Sequence, residues 1–314
     1  MRRVAWLVTV GLALVGCGSD DATPDPGASG SFVASEGTIS ACTGKIAYKR
    51  WTWTGAPATA TLVFANGRTD YTARYEHIVD LIDRPWHVVM FDHYGQGKSD
   101  GPRAHADDFD TQHVCDMKQV IEQLAEPGLP VVVMAHSMGA FVSTRLAQLQ
   151  PGIASAYAFS APMYGLPSTM SADTVKTVAQ GMIDNGKGQE PYQENTGEKD
   201  TCEENKTTHD CDYYDRWLDD PTVWIGNPTW GWVFAAYTGF DRVRADVALF
   251  AEPVLVLQAG EEAWVDKTAQ SDFCAAASSC ELVVKEGSYH EIFNELDRAQ
   301  TVRNVVEFLD ERIR

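Results

Sequence analysis

The run Pro130-Val131-Val132-Val133-Met134-Ala135 narrows the fold more than any other part of the sequence. It has no polar side, so as a strand it must be covered on both faces. Sheets of that kind are built from parallel strands joined by helical crossovers. The rest of the chain supplies the parts. Strand-like segments lie at 45–54, 60–65, 86–92, 156–160, 253–258 and 281–285. Helical patterns lie between them at 75–82, 110–124, 138–149, 266–277 and 297–314. In the segment 110–124, Val114, Met117, Ile121 and Leu124 share one face. The alternation lapses between 163 and 240 and then resumes. The expected fold class is therefore α/β, a mostly parallel, doubly wound sheet with helices on both faces. Its core comes in two parts, 45–162 and 241–314, around an insertion at 163–240.

Ligands of such sheets bind beyond the carboxyl ends of the strands. The 130–135 strand runs into Ala135-His136-Ser137-Met138-Gly139 and then a helix, the setting of a nucleophile elbow. Small residues must flank the serine because the turn brings strand and helix backbones together. Gly139 meets that need, and Ala135 stands where a first glycine is usual. A serine hydroxyl needs a base to take its proton. His290, in GSYHEIFNE, is the one histidine of eight placed after the final strand and before the last helix. The base in turn needs a carboxylate to orient it. The loop AGEEAWVDK after the 253–258 strand offers Glu261, Glu262 and Asp266. A short loop past the strand end favours Glu262, with Asp266 next and Glu261 third.

Seven stretches in order resemble the monoacylglycerol lipase and lysophospholipase branch of the α/β-hydrolases. They are NGRTDYTARY (66–75), FDHYGQGKSDGPRAHADDFD (91–110), AHSMGA (135–140), SAPMYG (160–165), NPTWGW (227–232), LQAGEEAWVD (257–266) and GSYHEIFNE (287–295). The resemblance implies an α/β-hydrolase fold in which 163–240 forms a cap. It implies Ser137 as nucleophile, His290 as base and Glu262 as acid, where most relatives carry Asp; Asp266 stays the alternative. It also implies an oxyanion hole made by the backbone N–H groups of Met138 and Arg68. Arg68 follows Asn66-Gly67, where relatives have His-Gly. Asp92, His93, Gly95 and Gly97 fall in a stretch resembling a scaffold loop. The implied activity is hydrolysis of a fatty-acyl ester, a monoacylglycerol or lysophospholipid, through an acyl-enzyme. No metal or organic cofactor is implied. An aminopeptidase of the proline iminopeptidase type, or an acyltransferase, would use the same three residues. The cap is acidic and rich in aromatics, and Trp224, Trp230 and Trp232 are the expected lining for an acyl chain.

The N-terminus reads as an address. Arg2 and Arg3 precede an apolar run, 4–15, which falls short of the roughly 20 residues a membrane-spanning helix needs. It suits a secretory signal over 1–16. Leu14-Val15-Gly16-Cys17 resembles the lipobox of bacterial lipoproteins, which implies cleavage before Cys17, lipidation of its thiol and anchoring to a membrane. Gly18 after that cysteine resembles the outer-membrane class. Residues 17–44 are expected to be the lipidated cysteine and a flexible tether, on the Asp, Pro, Gly and Ser content of 19–31. Export makes the other cysteines disulfide partners. Cys202–Cys211 and Cys274–Cys280 are the local pairs, which leaves Cys42 for Cys115. No two cysteines have the CxxC spacing of a zinc ribbon. With 44 acidic and 25 basic residues, the formal charge of −19 disfavours nucleic acid. It also leaves membrane attachment to the anchor rather than to a basic patch. The expected partners are a lipid ester and a membrane.

Overall fold

The computed structural model describes residues 30–194, 200–218, 220–222 and 224–314. The secretory signal, Cys17 and the tether up to residue 29 lie outside the described residues. The strands are β1 (Ser31–Ser40), β2 (Lys45–Thr54), β3 (Ala60–Ala65), β4 (Trp86–Phe91), β5 (Val131–His136), β6 (Ala156–Ser160), β7 (Val254–Ala259) and β8 (Cys280–Lys285). They form one sheet in the order β1-β2-β4-β3-β5-β6-β7-β8. β1, β2 and β4 pair antiparallel, and every other pair is parallel. The strands that lack a polar side are the inner ones. β3, β4, β6 and β7 are buried along their whole length, as a sheet covered on both faces requires.

The helices are α1 (Cys115–Leu124), α2 (Met138–Leu149), α3 (Ala172–Asp184), α4 (Cys211–Leu218), α5 (Trp230–Ala245), α6 (Lys267–Ala276) and α7 (Arg298–Glu311). Side-chain alternation along the strands feeds two cores. Val63 and Ala65 face the core shared with α1, α2 and α6, while Leu62 and Phe64 face the one closed by Val302, Val305, Val306 and Leu309 of α7. Between β6 and β7 the chain inserts α3, α4 and α5. The insertion, expected to close at 240, continues as helix to Ala245, because Phe240 and Val243 on that last stretch are buried in the core.

Two expectations need correcting. The tether is expected through residue 44, but 31–40 is strand β1, paired along its length with β2. Only Ile39 of the ten residues is buried, so no hydrophobic pattern marks the strand; main-chain hydrogen bonds hold it. The helix expected at 75–82 forms as 3₁₀ turns, Thr72–Arg74 and Glu76–Leu81, which still bury Ile78 and Val79. The three disulfides form as paired from the sequence: Cys42–Cys115, Cys202–Cys211 and Cys274–Cys280.

Candidate active site

Strand order sets the site. β3 leads to β4 on one side and β5 leads to β6 on the other, so a crevice opens between the carboxyl ends of β3 and β5. Ser137 follows β5 and Asn66-Gly67-Arg68 follows β3. Glu262 and His290 follow β7 and β8 at the same rim.

Ser137 sits in the sharp turn between β5 and α2 with φ 51° and ψ −113°, a conformation costly for a residue bearing a Cβ. Surrounding backbone bonds impose it. Its N–H donates to the Ser160 carbonyl, and its own carbonyl accepts from Phe141 and Met163. Gly139 is required as well. A Cβ there would lie 2.2 Å from the Ala65 carbonyl oxygen and 2.4 Å from that of Asn66. Ala135, by contrast, is fully buried inside the sheet with its Cβ accommodated.

The imidazole of His290 lies between the hydroxyl and a carboxylate. Its Nε2 is 3.0 Å from Ser137 Oγ, and its Nδ1 is 2.8 Å from Glu262 Oε2. An ionised carboxylate only accepts, so Nδ1 carries the proton and the Nε2 lone pair faces the serine O–H. The Glu262 side chain has 0% exposure. Its other oxygen accepts from the backbone N–H groups of Trp264 (2.7 Å) and Val265 (3.3 Å), which fixes its orientation. Burial pushes the Glu262 carboxyl up. The hydrogen bond and charge of His290 and the two backbone donors outweigh that, so its pKa falls below the ordinary 4.5. Asp266 has different work: it caps α6 through the N–H groups of Thr268 and Ala269. Glu261 is exposed. Of the three carboxylates in the loop, the fold brings Glu262 to the histidine.

His136 packs edge-on against His290, with ring centroids 4.7 Å apart. Burial, together with the charges of His290 and Arg74, holds its pKa well below the ordinary 6.5. It therefore stays neutral and sets no second cation beside an imidazolium.

The turn after β3 is pressed onto the elbow. A Cβ on Gly67 would lie 2.8 Å from the His136 ring and 3.3 Å from Ser137 Cβ. Among the described residues, neither the Arg68 N–H nor the Met138 N–H donates to a protein acceptor. Both are thus free to meet an oxyanion formed at Ser137. The turn is braced from behind. Gly67 N–H donates to Asp70, Gln96 accepts from Thr69 N–H and donates to the Gly67 carbonyl, and His93 bonds the Asn66 carbonyl. Asp92 accepts from Thr72 and from Lys98 N–H, so Asp92 and His93 act as scaffold, as their stretch implied.

Sequence reading missed the brace formed by Asp70, Arg74 and Glu291. Arg74 pairs through one Nη with Asp70 four residues back and through the other Nη with both oxygens of Glu291. All three are buried. Arg74 thereby ties the turn after β3 to the residue next to His290. The i, i+4 spacing of Asp70 and Arg74 was visible; a partner 217 residues away was not. Tyr213 of α4 closes over the same unit by donating to the Arg74 carbonyl.

The three cap tryptophans part ways. Trp224 is 49% exposed, and Trp230 stacks edge-on with Tyr192. Trp232 is buried and reaches the site through Arg68, whose guanidinium lies over its ring at 5.4 Å. Among the described residues no His, Cys, Asp or Glu cluster is arranged to hold a metal ion.

Comparison with known proteins identifies the family. The family described as "Serine aminopeptidase, S33" (Hydrolase_4) matches residues 56–297. Lysophospholipase L2 of Escherichia coli K12 is 31% identical over 79% of this chain and 80% of its own length. Human monoglyceride lipase is 26% identical over 78% of this chain and 80% of its own. Among solved structures, a thermostable carboxyl esterase from Bacillus coagulans superposes with a TM-score of 0.75 at 17% identity, covering 90% of this chain and 99% of that one. The monoacylglycerol lipase of Paleococcus ferrophilus gives 0.70 at 18%, with 90% and 99% covered. The chain belongs to the Hydrolase_4 family of α/β-hydrolases.

Proposed function

We propose that the protein is a serine esterase that hydrolyses carboxylic esters of fatty acids, with a monoacylglycerol or lysophospholipid as substrate. One observation carries the reading: Ser137, His290 and Glu262 are joined by hydrogen bonds of 3.0 and 2.8 Å at one rim of the sheet. The kinship with lysophospholipases and monoglyceride lipases supports the lipid ester. Ser137 Oγ attacks the ester carbonyl carbon while His290 Nε2 takes its proton. The tetrahedral oxyanion is held by the N–H groups of Met138 and Arg68, each such donor being worth about 10²–10³ in rate. The C–O bond breaks as His290 returns the proton to the leaving alcohol. Water, deprotonated by the same histidine, then attacks the acyl-enzyme and releases the fatty acid and Ser137.

The test is hydrolysis of oleoylglycerol, oleoyl lysophospholipid and graded p-nitrophenyl esters by protein starting after Cys17. Ser137→Ala is expected to lower kcat at least about 10⁴-fold. An unchanged rate in that variant would remove the serine mechanism. An aminopeptidase would need a free carboxylate facing a substrate amine. Two cap carboxylates are already engaged, Asp210 by Arg298 and Asp220 by Tyr71. Aminoacyl amides in the same panel separate that reading, and products formed with added glycerol separate acyl transfer.

The same reading places the enzyme outside the cytoplasm, lipid-anchored through Cys17, with an outer-membrane location implied by Gly18. Three disulfides support export, because such bonds persist in oxidising compartments. Cys17→Ala is expected to release the protein from membranes into the soluble fraction; retention on membranes would count against the anchor.

A further inference from the structure

Arg68 is unlike the other arginines. Among the described residues, every other arginine that is not exposed is paired with a carboxylate: Arg50, Arg74, Arg84, Arg145, Arg242 and Arg298. Arg68 is half-buried and has none. One Nη donates to the Gly226 carbonyl of the cap, the ring of Trp232 lies beneath the guanidinium, and the Nε is buried with no partner. Burial lowers its pKa to about 10, which still leaves it charged at neutral pH. In a chain with 44 acidic residues, a carboxylate for this position would have been easy to supply. Holding a partly buried guanidinium without a counter-charge costs free energy unless an anion completes it. The position says which anion. Arg68 follows Gly67, where a Cβ would lie 3.3 Å from Ser137 Cβ, and its guanidinium meets the cap at Gly226 and Trp232, so the side chain lies between the turn beside the reactive serine and the cap.

We propose that the Arg68 guanidinium reads the phosphate of a lysophospholipid whose ester carbonyl is bound by the N–H of the same residue. This rests on the lipid-ester reading above and chooses within it. At standard bond lengths, the span from a backbone nitrogen to an extended guanidinium and that from an acyl carbonyl across glycerol to phosphorus are both about 6–7 Å. A planar, weakly hydrated guanidinium is suited to the paired oxygens of a phosphodiester. A monoacylglycerol has a hydroxyl at that point and gains no charge-assisted bond. The strongly acidic protein disfavours lipids with net negative charge, so a zwitterionic head group fits better than an anionic one.

The experiment compares kcat/KM for 1-oleoyl-lysophosphatidylethanolamine with that for 1-oleoylglycerol in neutral detergent micelles. The readout is their ratio, in wild type, Arg68→Gln and Arg68→Lys. Fluorophosphonate labelling of Ser137 checks that each variant is folded. Arg68→Gln is expected to lower the ratio about tenfold to a hundredfold, the worth of hydrogen bonds to a charged group. Arg68→Lys, which keeps the charge but not the fork, is expected to fall between. Equal loss on both lipids, or an unchanged ratio, would overturn the proposal and leave Arg68 as a tie between cap and oxyanion turn. If Arg68→Gln does not fold, an unchanged ratio in Arg68→Lys with full retention of lysophospholipid activity overturns it instead. A wild type that labels at Ser137 yet hydrolyses neither lipid would overturn the lipid-ester reading itself, and this proposal with it.

Discussion

Glu262 and Asp266 are separated by three residues and do unrelated work. The carboxylate of Glu262 is held by two backbone donors and by His290, whereas that of Asp266 starts a helix. Glu262→Gln is expected to lower kcat by about 10²–10⁴-fold, because an amide supports the wrong imidazole tautomer and cannot stabilise the imidazolium. Asp266→Asn keeps a good cap and is expected to hold activity near wild type, while Asp266→Ala loses about 1 kcal/mol of stability. The reverse result would move the acid to Asp266. Part of this distinction was legible: the short loop after the 253–258 strand favoured Glu262, although Asp266 stayed the alternative acid and its place at the start of the 266–277 helix was not used. What the sequence could not carry was the turn that aims the Trp264 and Val265 N–H groups at Glu262. A pH effect follows from the same environment. Glu262 has a folded pKa below 4.5, so it contributes stability above that value and loses it as pH falls through its lowered folded pKa. The stability gap between wild type and Glu262→Gln, followed by urea unfolding, should therefore narrow as pH drops below 4.5. A gap that widens on acidification would contradict the assignment.

At the scale of elements, the elbow is a packing problem as much as a chemical one. α2 begins so close to the end of β3 that the carbonyls of Ala65 and Asn66 occupy the space of a side chain at 139. Those atoms are backbone at the end of a fully buried strand and cannot swing aside. Gly139→Ala is expected to cost at least about 3 kcal/mol, beyond the helix propensity that alanine would add. It should also abolish fluorophosphonate labelling by displacing Ser137. Wild-type labelling and an unshifted urea midpoint in this variant would show that the contact is looser than described. Here the sequence was informative, because strand, small residue, serine and helix followed one another without interruption. It was least informative where burial is slight. β1 has one buried residue in ten, and a strand held by its main-chain ladder leaves no pattern to read. The helix expected at 75–82 forms as 3₁₀ turns because Ile78 and Val79 are buried in either geometry and leave the same pattern.

Across the whole molecule, the disulfides fasten peripheral elements. Cys42–Cys115 fastens the turn of the β1–β2 hairpin to the start of α1, beside Thr43, which bonds Asp116 through both its N–H and its hydroxyl. Cys202–Cys211 secures α4, which buries only Tyr213. Cys274–Cys280 joins α6 to β8, an edge strand with Val283 and Val284 exposed. The last two cross-links thus fasten elements that bury little themselves. Their contributions differ because the loops they close differ, with separations of 73, 9 and 6 residues. Chain-entropy scaling gives about 4 kcal/mol for the longest loop and about 2 for the shortest. Replacing Cys42 and Cys115 together by serine should therefore cost roughly twice what the Cys274 and Cys280 double replacement costs in urea unfolding. Hydrogen exchange should show the added opening at the β1–β2 hairpin, while labelling of Ser137 persists under native conditions, since the catalytic rim is built from the opposite half of the sheet and the inner strands. Equal losses for the two double variants would mean that strain or residual structure in the unfolded chain, rather than loop length, sets their worth.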